Sequence, residues 1–518
     1  MPGSASRLRE RVFLFFIIAG FVLGLVVLLL QCHDLVDDAY ISARYARNLV
    51  QGYGLVYNRG EALERVEGYS NFLWVLLLAL GLKLGLSIKF TAQALGVVSG
   101  LLSLLVIFLW LKQETRSRWL ALLAGYFLAS NIYFAIWQVE GLESGLFGFL
   151  LLAGIYAFSK NHLRRAMLLC LLASLTRPDG ILLFFVIAGV QIFRSGKKLS
   201  AQKQNLKIWL WFMVPYLGYL LFRAIYYQSL FPNTFYAKTG LGWLALREGL
   251  FYFKSFFLKN PHLLPLYLLL LYALARLKKF SPAIQAGLIL VGIYSLFIFL
   301  VGGDWMPGFR FLVHIFPLLC VCSMIAGLEL ARDLNYSLKS SRQIVSALFM
   351  IMVAGNLYAF SSYSLKDSFE KSWHREQSKW YLPTARWLKT YVWQNQSIAL
   401  GDIGYIGYFG DHHRIIDTMG LVDRHLGRLK GISSMTTDLD YIFSQNPFCI
   451  VSLVHHYPNG AWLGHSEFDR KLAQDARFKE KYRLVKEIYG WHSVEISRTD
   501  WEKRESEVFF RIYFRNSP

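Results

Sequence analysis

Runs of about 20 apolar residues recur in this 518-residue chain from Val12 to Ser361, and they constrain its fold more than any other feature. A helix needs about 20 predominantly apolar residues to cross the hydrocarbon core of a bilayer. Charged residues make up 17% of the chain, whereas soluble globular proteins average about 25%. The sequence therefore predicts a polytopic α-helical membrane protein and excludes a soluble globular protein.

The excess of basic residues indicates how the protein is oriented in the membrane. The chain has 55 Lys and Arg against 34 Asp and Glu, a formal net charge of +21, and most of the excess lies in short loops between apolar runs. Cytoplasmic loops of membrane proteins are enriched in Lys and Arg. We therefore assign this charge to the cytoplasmic side of the membrane and predict no nucleic-acid partner. The basic groups are Arg7/Arg9/Arg11, Lys112/Arg116/Arg118, Lys160/Arg164/Arg165, Lys197/Lys198, Arg276/Lys278/Lys279 and Arg332/Lys339/Arg342.

One ambiguous segment decides the number of spans. Residues 71–87 are apolar but are interrupted by Gly81, Lys83 and Gly85. If this segment crossed the membrane, the next three basic loops would face outward, against the usual bias. If it only dips into or lies on the outer leaflet, every basic loop is cytoplasmic. We therefore predict about eleven transmembrane helices plus juxtamembrane helices, with a cytoplasmic N-terminus.

The composition changes after Ser361, which marks a predicted domain boundary. Residues 362–518 are mixed polar and contain short strand-like stretches at Ser397–Leu400, Ile415–Ile416 and Cys449–Leu453. We predict a transmembrane domain over 1–361 and a soluble α/β domain over 362–518 on the extracytoplasmic side.

Two adjacent carboxylates, Asp37 and Asp38, open the first outward-facing segment. Neighbouring carboxylates repel each other and burial disfavours their charged forms, so one of them is a candidate for a base near neutral pH. The structural alternative is that one of them caps the amphipathic helix that continues to about Leu49. The residues alone leave both interpretations open.

Other outward-facing polar residues suit the recognition of hydroxyl groups. Glu67, Tyr69 and Asn71 follow a loop rich in glycine and aromatic residues, and Glu140 and Glu143 lie at the end of a membrane helix. Carboxylates at membrane depth are costly and usually functional. The alternatives are an ordinary structured loop and carboxylates solvated by water among the lipid headgroups.

Candidate phosphate-binding cations lie in three of the outward-facing loops, on the side of the membrane where few cations are expected. They are Arg177, Lys238 and Arg310. Arginine offers a two-pronged donor to phosphate, and lysine offers a point charge. The alternative for each is a side chain that extends toward the lipid headgroups. Their location on the side with few cations favours a phosphate-binding role.

The remaining motifs fit no metal or dinucleotide site. The glycines of 401–407 do not have the spacing of a dinucleotide fingerprint, and the adjacent pairs His412-His413 and His455-His456 lack the helical spacing of zinc ligands. The cysteines form no metal-type spacing and are interpreted as small core residues. They are Cys32, Cys170, Cys320, Cys322 and Cys449.

Six motifs, in this order along the chain, resemble those of polytopic GT-C glycosyltransferases, most closely the subgroup of the mycobacterial terminal arabinofuranosyltransferase. A further stretch, Gly401 to Asp423, resembles the soluble domain of that subgroup. The six motifs are Asp37-Asp38-Ala39-Tyr40-Ile41-Ser42, Val66-Glu67-Gly68-Tyr69-Ser70-Asn71, Gly141-Leu142-Glu143, Thr176-Arg177-Pro178-Asp179-Gly180, Pro232-Asn233-Thr234-Phe235-Tyr236-Ala237-Lys238, and Gly302-Gly303-Asp304-Trp305-Met306 with Arg310-Phe311.

The resemblance implies an inverting glycosyltransferase that uses a polyprenyl-phosphate sugar at an extracytoplasmic active site. It implies that Asp37 is the general base and that Asp38 orients the acceptor or donor. It also implies that the donor phosphate is bound by Arg177, Lys238 and Arg310. The residues implied in binding the sugar or the acceptor are Glu67, Tyr69, Asn71, Glu143, Asn233 and Asp304.

Further expectations follow from the resemblance. It suggests arabinofuranose as the sugar, a cell-envelope glycan, lipopolysaccharide or glycoprotein as the acceptor, and the inner (plasma) membrane of a bacterium as the location. His314 departs from the subgroup pattern, which has a proline shortly after the Arg-Phe pair.

The sequence also offers ligands for a divalent cation. The carboxylates of Asp37, Asp38, Glu140 and Glu143 supply the oxygen atoms that such a cation prefers. We expect no metal and no other cofactor, because no Asp-x-Asp triplet occurs in the outward-facing loops before Ser361.

The alternative function is that of a transporter or flippase of lipid-linked sugar. Such a protein needs ionisable residues along a path through the membrane. Here they cluster at the outer face, which favours the glycosyltransferase.

Overall fold

The computed structural model is mostly helical, with one β-sheet toward the C-terminus. The chain divides into two compact units. Unit 1 comprises Met1–Cys32, Ala92–Tyr219 and Leu241–Asp367, and unit 2 comprises His33–Thr91, Leu220–Gly240 and Ser368–Pro518. The structure describes residues 12, 15, 19–22, 24–26, 35–60, 65–196, 199–238, 243–365, 369–393, 396–410, 414–429, 436–496 and 503–516. Outside these ranges lie Arg7, Arg9, Arg11, Cys32, Lys197, Lys198, His412 and His413.

Unit 1 is built from apolar helices, two of which extend beyond its bounds at one end. Three short 3-10 helices, Pro178–Gly180, Pro261–Leu263 and Leu277–Lys279, connect some of them. The α-helices are Ile88–Thr115, Arg118–Ala129, Ile132–Val139, Ser144–Ser159, Leu163–Thr176, Ile181–Ser195, Leu199–Tyr226, Trp243–Lys259, Leu264–Ala275, Pro282–Leu300, Arg310–Val313, Phe316–Asp333 and Leu338–Leu365.

Several of these helices are long and apolar enough to cross a membrane. In the described part of the chain there are five such segments, or up to seven if each of two bent helix pairs forms one span. Residues 71–87, predicted not to span, contain the 12-residue helix Phe72–Lys83, which is about 18 Å long against a hydrocarbon core of about 30 Å. The predicted count of eleven spans and the predicted orientation stay predictions.

Glycine permits close helix packing inside unit 1. A Cβ atom at Gly96, on helix Ile88–Thr115, would lie 2.0 Å from the carbonyl oxygen of Gln138. Only a residue without a side chain fits such a contact, and small residues allow membrane helices to approach in this way. Gly125, on helix Arg118–Ala129, has no atom within 4 Å of the corresponding position.

We predict that Gly96→Ala destabilises the protein by about 1–3 kcal/mol, because the new methyl group overpacks the contact with Gln138. The measurement is the midpoint of thermal unfolding in detergent. Gly125→Ala is the matched control and should leave the midpoint unchanged or raise it, since alanine favours helix more than glycine does. Equal midpoints for the two variants would contradict the close packing.

Unit 2 combines short helices with the sheet. Its α-helices are Asp37–Val50, Phe72–Lys83, Asn233–Lys238, Phe369–Tyr391, Ile403–Phe409, Arg424–Gly427, Leu439–Ser444, Glu467–Gln474 and Ala476–Lys481. Its strands are β1 (Ser397–Leu400), β2 (Arg414–Asp417), β3 (Cys449–His456), β4 (Trp462–Gly464), β5 (Tyr482–Ile496) and β6 (Lys503–Arg515). The three strand-like stretches predicted from the sequence fall in β1, β2 and β3.

The sheet is mixed, with strand order β2-β1-β3-β6-β5 and β4 paired to β3. β1 runs parallel to β2 and β3, whereas β6 runs antiparallel to β3 and β5. The hydrophobic core of this part includes Ile416, Ile450 and Phe468. The rings of Trp380 and Trp491 stack at 5.0 Å and join helix Phe369–Tyr391 to β5.

The structure groups the chain differently from the predicted division into 1–361 and 362–518, which stays a prediction. In unit 2 the helix Asp37–Val50 packs on the C-terminal segment. Arg44 Nη1 donates a hydrogen bond to the carbonyl oxygen of Gly407 at 2.6 Å, and the Tyr40 ring lies 4.4 Å from the Tyr405 ring. The early segment therefore contributes to the same compact unit as the sheet.

Candidate active site

Asp37 binds the start of a helix that is distant from it in sequence. Its Oδ1 accepts a hydrogen bond from the backbone N–H of Tyr405 at 2.7 Å, and its Oδ2 accepts one from Gly404 at 3.1 Å. These N–H groups lie in the first turn of helix Ile403–Phe409. The N–H groups of a helix's first turn have no carbonyl partner within the helix. The N-cap position of helix Asp37–Val50 is Val36, and the backbone N–H of Asp37 donates to Gln377 Oε1 at 2.6 Å. Asp37 and Asp38 lie within the first turn of this helix, so the interpretation of either as its N-cap is wrong.

Glycine makes this contact possible. A Cβ atom at Gly404 would lie 1.9 Å from the carbonyl oxygen of Asp37, so a larger residue would push the two segments apart. The glycine-containing stretch 401–407, which has no dinucleotide spacing, thus has a structural explanation in the close approach of Asp37.

Asp402 is a second acid beside Asp37 that the sequence analysis missed. It precedes helix Ile403–Phe409 as its N-cap residue, and its Oδ2 accepts a hydrogen bond from the Tyr381 hydroxyl at 3.0 Å. Burial raises the pKa of Asp37 well above its ordinary value, and the charge of Asp402 raises this pKa further. The backbone N–H groups of Tyr405 and Gly404 oppose this rise. Because the raising effects exceed the lowering ones, the Asp37 carboxylate takes up a proton more readily than an ordinary aspartate does.

Asp38, the next residue, is partly buried. Within the described ranges, no hydrogen-bond donor contacts its carboxylate, in contrast to Asp37. The two adjacent acids therefore have different surroundings although the sequence presents them as a pair.

We predict that Asp37→Ala lowers the stability of unit 2 by about 1–3 kcal/mol, because two buried backbone N–H groups lose their acceptor. Asp38→Ala should cost less than about 1 kcal/mol, the scale of a carboxylate interacting with its helix dipole. Thermal unfolding followed by tryptophan fluorescence checks this, since Trp380 and Trp491 stack within the unit. A larger loss for Asp38→Ala than for Asp37→Ala would contradict the assignment of the contacts.

Glu67 forms a buried ion pair that the sequence did not reveal. Its Oε2 accepts from Arg223 Nε at 2.8 Å, and Arg223 Nη2 lies 2.8 Å from the same oxygen. Both residues are buried. Removing one partner of such a pair leaves an uncompensated charge, so Glu67 has a structural partner beside its predicted role toward a sugar.

Three further residues of unit 2 that are predicted to bind the sugar or the acceptor are hydrogen-bonded to other groups of the protein. The hydroxyls of Tyr69 and Tyr227 are hydrogen-bonded at 3.0 Å, and Asn71 Oδ1 accepts from the Ser42 hydroxyl at 3.0 Å. Asn233 Nδ2 donates to the carbonyl oxygen of Gly420 at 2.6 Å. Their predicted roles toward sugar or acceptor stay predictions. Lys238 ends helix Asn233–Lys238, and its side chain lies outside the described part of the chain.

In unit 1, Arg177 is fixed by two carboxylates. Its Nη1 donates to Glu143 Oε1 at 2.9 Å, and its Nε donates to Asp179 Oδ1 at 3.0 Å. The hydroxyl of Tyr294 also hydrogen-bonds to Asp179. The predicted sugar-binding residue Glu143 and the predicted phosphate-binding residue Arg177 are thus direct partners.

Arg310 and Asp304 form a second pair in unit 1. Arg310 donates through Nε at 2.7 Å and through Nη2 at 3.2 Å to the two oxygens of Asp304. These two hydrogen bonds fix the plane of the Arg310 guanidinium. Neither of them involves Nη1.

One ring connects the two arginines. The guanidinium carbon of Arg177 and that of Arg310 each lie 5.3 Å from the centroid of the Phe311 ring. The structure therefore brings Glu143, Arg177, Asp304 and Arg310 together around this ring, while their predicted roles toward a ligand stay predictions.

His314 lies beside this cluster and is buried. Its Nε2 is 3.3 Å from the Ser144 hydroxyl, and its ring meets that of Phe147 edge-on at 5.2 Å. The residue that departs from the subgroup pattern thus fills space next to Arg177, whose guanidinium lies 5.5 Å from the Phe147 ring.

The chain is similar over nearly its whole length to solved structures of ArnT. Apo ArnT from Cupriavidus metallidurans matches with a TM-score of 0.56 and 14% identity, covering 97% of this chain and 98% of that one. ArnT bound to undecaprenyl phosphate matches with a TM-score of 0.54 and 12% identity, covering 98% of both chains. The chain therefore shares the fold of ArnT. The predicted fold class is thereby confirmed for the helical architecture and the small C-terminal sheet domain.

Two other comparisons cover parts of the chain. The terminal beta-(1->2)-arabinofuranosyltransferase of Mycobacterium tuberculosis is 28% identical over 386 residues, which are 64% of this chain and 59% of that protein. The chain thus spans less than two thirds of the length of this relative. Residues 370–509 match a domain of unknown function (DUF8728), which coincides with most of the C-terminal part of unit 2.

Proposed function

We propose that this protein is a glycosyltransferase of the GT-C superfamily that moves a sugar from a polyprenyl-phosphate donor to a hydroxyl group of an acceptor. One observation carries the proposal: the chain matches ArnT, in the apo and the undecaprenyl-phosphate-bound state, over 97% or more of its length. The similarity to the mycobacterial enzyme supports arabinofuranose as the sugar. The acceptor is a cell-envelope glycan, lipopolysaccharide or glycoprotein.

The proposed reaction is a displacement with inversion at the sugar carbon that bears the phosphate. A base removes the proton of the acceptor hydroxyl, the acceptor oxygen bonds to that carbon, and the bond from the carbon to the phosphate oxygen breaks. The electron pair leaves with the polyprenyl phosphate, so the enzyme needs cations for the departing charge.

Asp37 is the proposed base, and Asp38 the proposed orienting residue for acceptor or donor. Two backbone N–H groups fix the Asp37 carboxylate, while burial and the charge of Asp402 raise its pKa. A fixed carboxylate of raised pKa suits proton removal near neutral pH, because base strength and correct ionisation are then both present.

Arg177, Arg310 and Lys238 are the proposed phosphate ligands. Arg177 and Arg310 are held in place by Glu143, Asp179 and Asp304, so their charges need little rearrangement when the phosphate departs. Glu67, Tyr69, Asn71, Glu143, Asn233 and Asp304 are the proposed contacts to sugar or acceptor.

The proposed setting is the inner membrane of a bacterium, with the N-terminus in the cytoplasm and the C-terminal domain outside. The apolar helices support a membrane location, and the basic loops support this orientation. Labelling of single cysteines from outside the cell checks it. Labelling of a cysteine placed at Lys197 would overturn the orientation.

Turnover by the purified protein tests the function directly. With synthetic polyprenyl-phosphate arabinofuranose and other lipid-phosphate sugars, we expect release of polyprenyl phosphate, including in the presence of EDTA because no metal is proposed. Asp37→Asn should reduce kcat by about 10²-fold or more, the typical contribution of a general base. Full turnover by both Asp37→Asn and Asp38→Asn would disprove the base assignment.

The pH profile gives a second test that a purely structural role would not affect. Because the negative charge of Asp402 raises the pKa of Asp37, its removal lowers that pKa. Asp402→Asn should therefore shift the acid-side midpoint of kcat/KM to lower pH, by about one unit, while asparagine still suits the N-cap position. Asp440→Asn is the control, since this carboxylate is 84% exposed, and it should cause no shift.

A further inference from the structure

One face of the sheet in unit 2 carries aromatic side chains that the function proposed above does not use. They are His456 on β3, Trp462 on β4, Tyr489 on β5 and Phe509 on β6, and we call them the aromatic row. Trp462 and Tyr489 are 41% and 50% exposed. Single exposed apolar residues are common on protein surfaces, whereas a contiguous group of them marks a site of interaction.

The rings of the row contact one another from strand to strand. The rings of His456 and Trp462 stack with centroids 4.3 Å apart, and the Phe509 ring lies 5.4 Å from Trp462 and 5.6 Å from Tyr489. The register explains these contacts, because Trp462 is paired with His456 and Tyr489 with Phe509, and cross-strand pairs lie side by side on one face. The row is therefore one continuous surface across β4, β3, β6 and β5.

The alternation of side chains along β6 shows which face of the sheet carries the row. Phe510 is buried, and its ring lies 5.5 Å from the ring of Tyr381 on helix Phe369–Tyr391. Successive residues of a strand point to opposite faces, so Phe509 points away from this helix. The aromatic row thus lies on the face of the sheet that helix Phe369–Tyr391 does not cover.

Charged side chains lie among the rings. The guanidinium carbon of Arg511 is 3.8 Å from the centroid of the Trp462 ring, and Arg511 Nε donates a hydrogen bond to Glu487 Oε2 at 2.7 Å. Glu507 Oε2 lies 3.7 Å from His456 Nδ1, and the Glu507 side chain is 53% exposed. The surface therefore combines aromatic rings with hydrogen-bond donors and acceptors.

This combination matches the chemistry of a sugar. A sugar ring presents C–H groups on its faces and hydroxyl groups around its edge. The C–H groups pack on the electron-rich face of an aromatic ring, while carboxylates and guanidinium groups form hydrogen bonds with the hydroxyls.

The charges of this surface disfavour a lipid membrane as its partner. Anionic lipid headgroups attract clusters of Lys and Arg. Here the carboxylates of Glu487 and Glu507 outnumber the guanidinium of Arg511. A neutral partner with many hydroxyl groups fits this balance better than an anionic one.

We propose that the aromatic row binds a neutral saccharide chain, with Trp462 and Tyr489 stacking on sugar rings and Glu507 accepting hydrogen bonds from sugar hydroxyls. The row crosses four neighbouring strands, which are spaced about 4.8 Å apart, so it is long enough for more than one sugar residue. The proposal rests on the function proposed above for the identification of this chain as part of the acceptor.

Binding of neutral polysaccharides to the purified full-length protein tests the proposal. Arabinan, mannan and dextran are titrated by isothermal calorimetry in a detergent without a sugar headgroup, and we expect at least one of them to bind. Trp462→Ala should weaken this binding about tenfold, the scale of one aromatic contact. Tyr489→Ala, which alters a different strand, should weaken it as well. Trp393→Ala is the matched control, because this tryptophan is 79% exposed and lies outside the row, and it should leave the affinity unchanged.

Trp462→Phe separates the loss of stacking from a loss of folding. It keeps an aromatic ring and should retain part of the affinity that Trp462→Ala loses. Binding of no polysaccharide by the wild type, or equal binding by the wild type, Trp462→Ala and Tyr489→Ala, would overturn the proposal. Binding of phosphatidylglycerol vesicles that is lost in Trp462→Ala, without polysaccharide binding, would overturn it in favour of a membrane contact.

The titration contains no donor lipid, so its result is independent of sugar transfer. Polysaccharide binding through the row together with an absence of turnover would retain the binding site and contradict the proposed function. Turnover without any polysaccharide binding would retain the proposed function and contradict the binding site.

Discussion

The organisation of unit 2 depends on one partly buried carboxylate and the helix end that it binds. Asp37 and Gly404 are 367 residues apart in the chain, yet the carboxylate accepts two N–H groups from the first turn of Ile403–Phe409. A buried charge without donors is costly, and a helix N-terminus provides donors together with the positive end of its dipole. The contact therefore satisfies both groups, and Gly404 lets them approach.

The same contact connects the structural role of Asp37 with its proposed role as a base. The N–H groups that fix the carboxylate favour its charged form, whereas burial and Asp402 favour the neutral form. These opposing effects act on a carboxylate that two backbone N–H groups hold in place. Asp38 has no comparable contacts among the described residues, which separates two acids that are adjacent in sequence.

In unit 1 two arginines are paired with three carboxylates. Arg177 is held by Glu143 and Asp179, and Arg310 is held by Asp304. Such pairs restrict the side chains and lower the cost of orienting them when charge develops nearby. The shared Phe311 ring places both guanidinium groups around one apolar surface. Cations and acids that were predicted for different ligand groups thus form one connected cluster.

The sequence by itself determined the membrane-helix character, three strands of the sheet and the acids and cations beside the apolar runs, because hydropathy and charge are local properties. It could not reveal Asp402 beside Asp37 or Arg223 beside Glu67. Each of these pairings joins residues that are distant in the chain and depends on backbone approach that no local pattern records. Tertiary structure alone decided which charges are paired inside the protein.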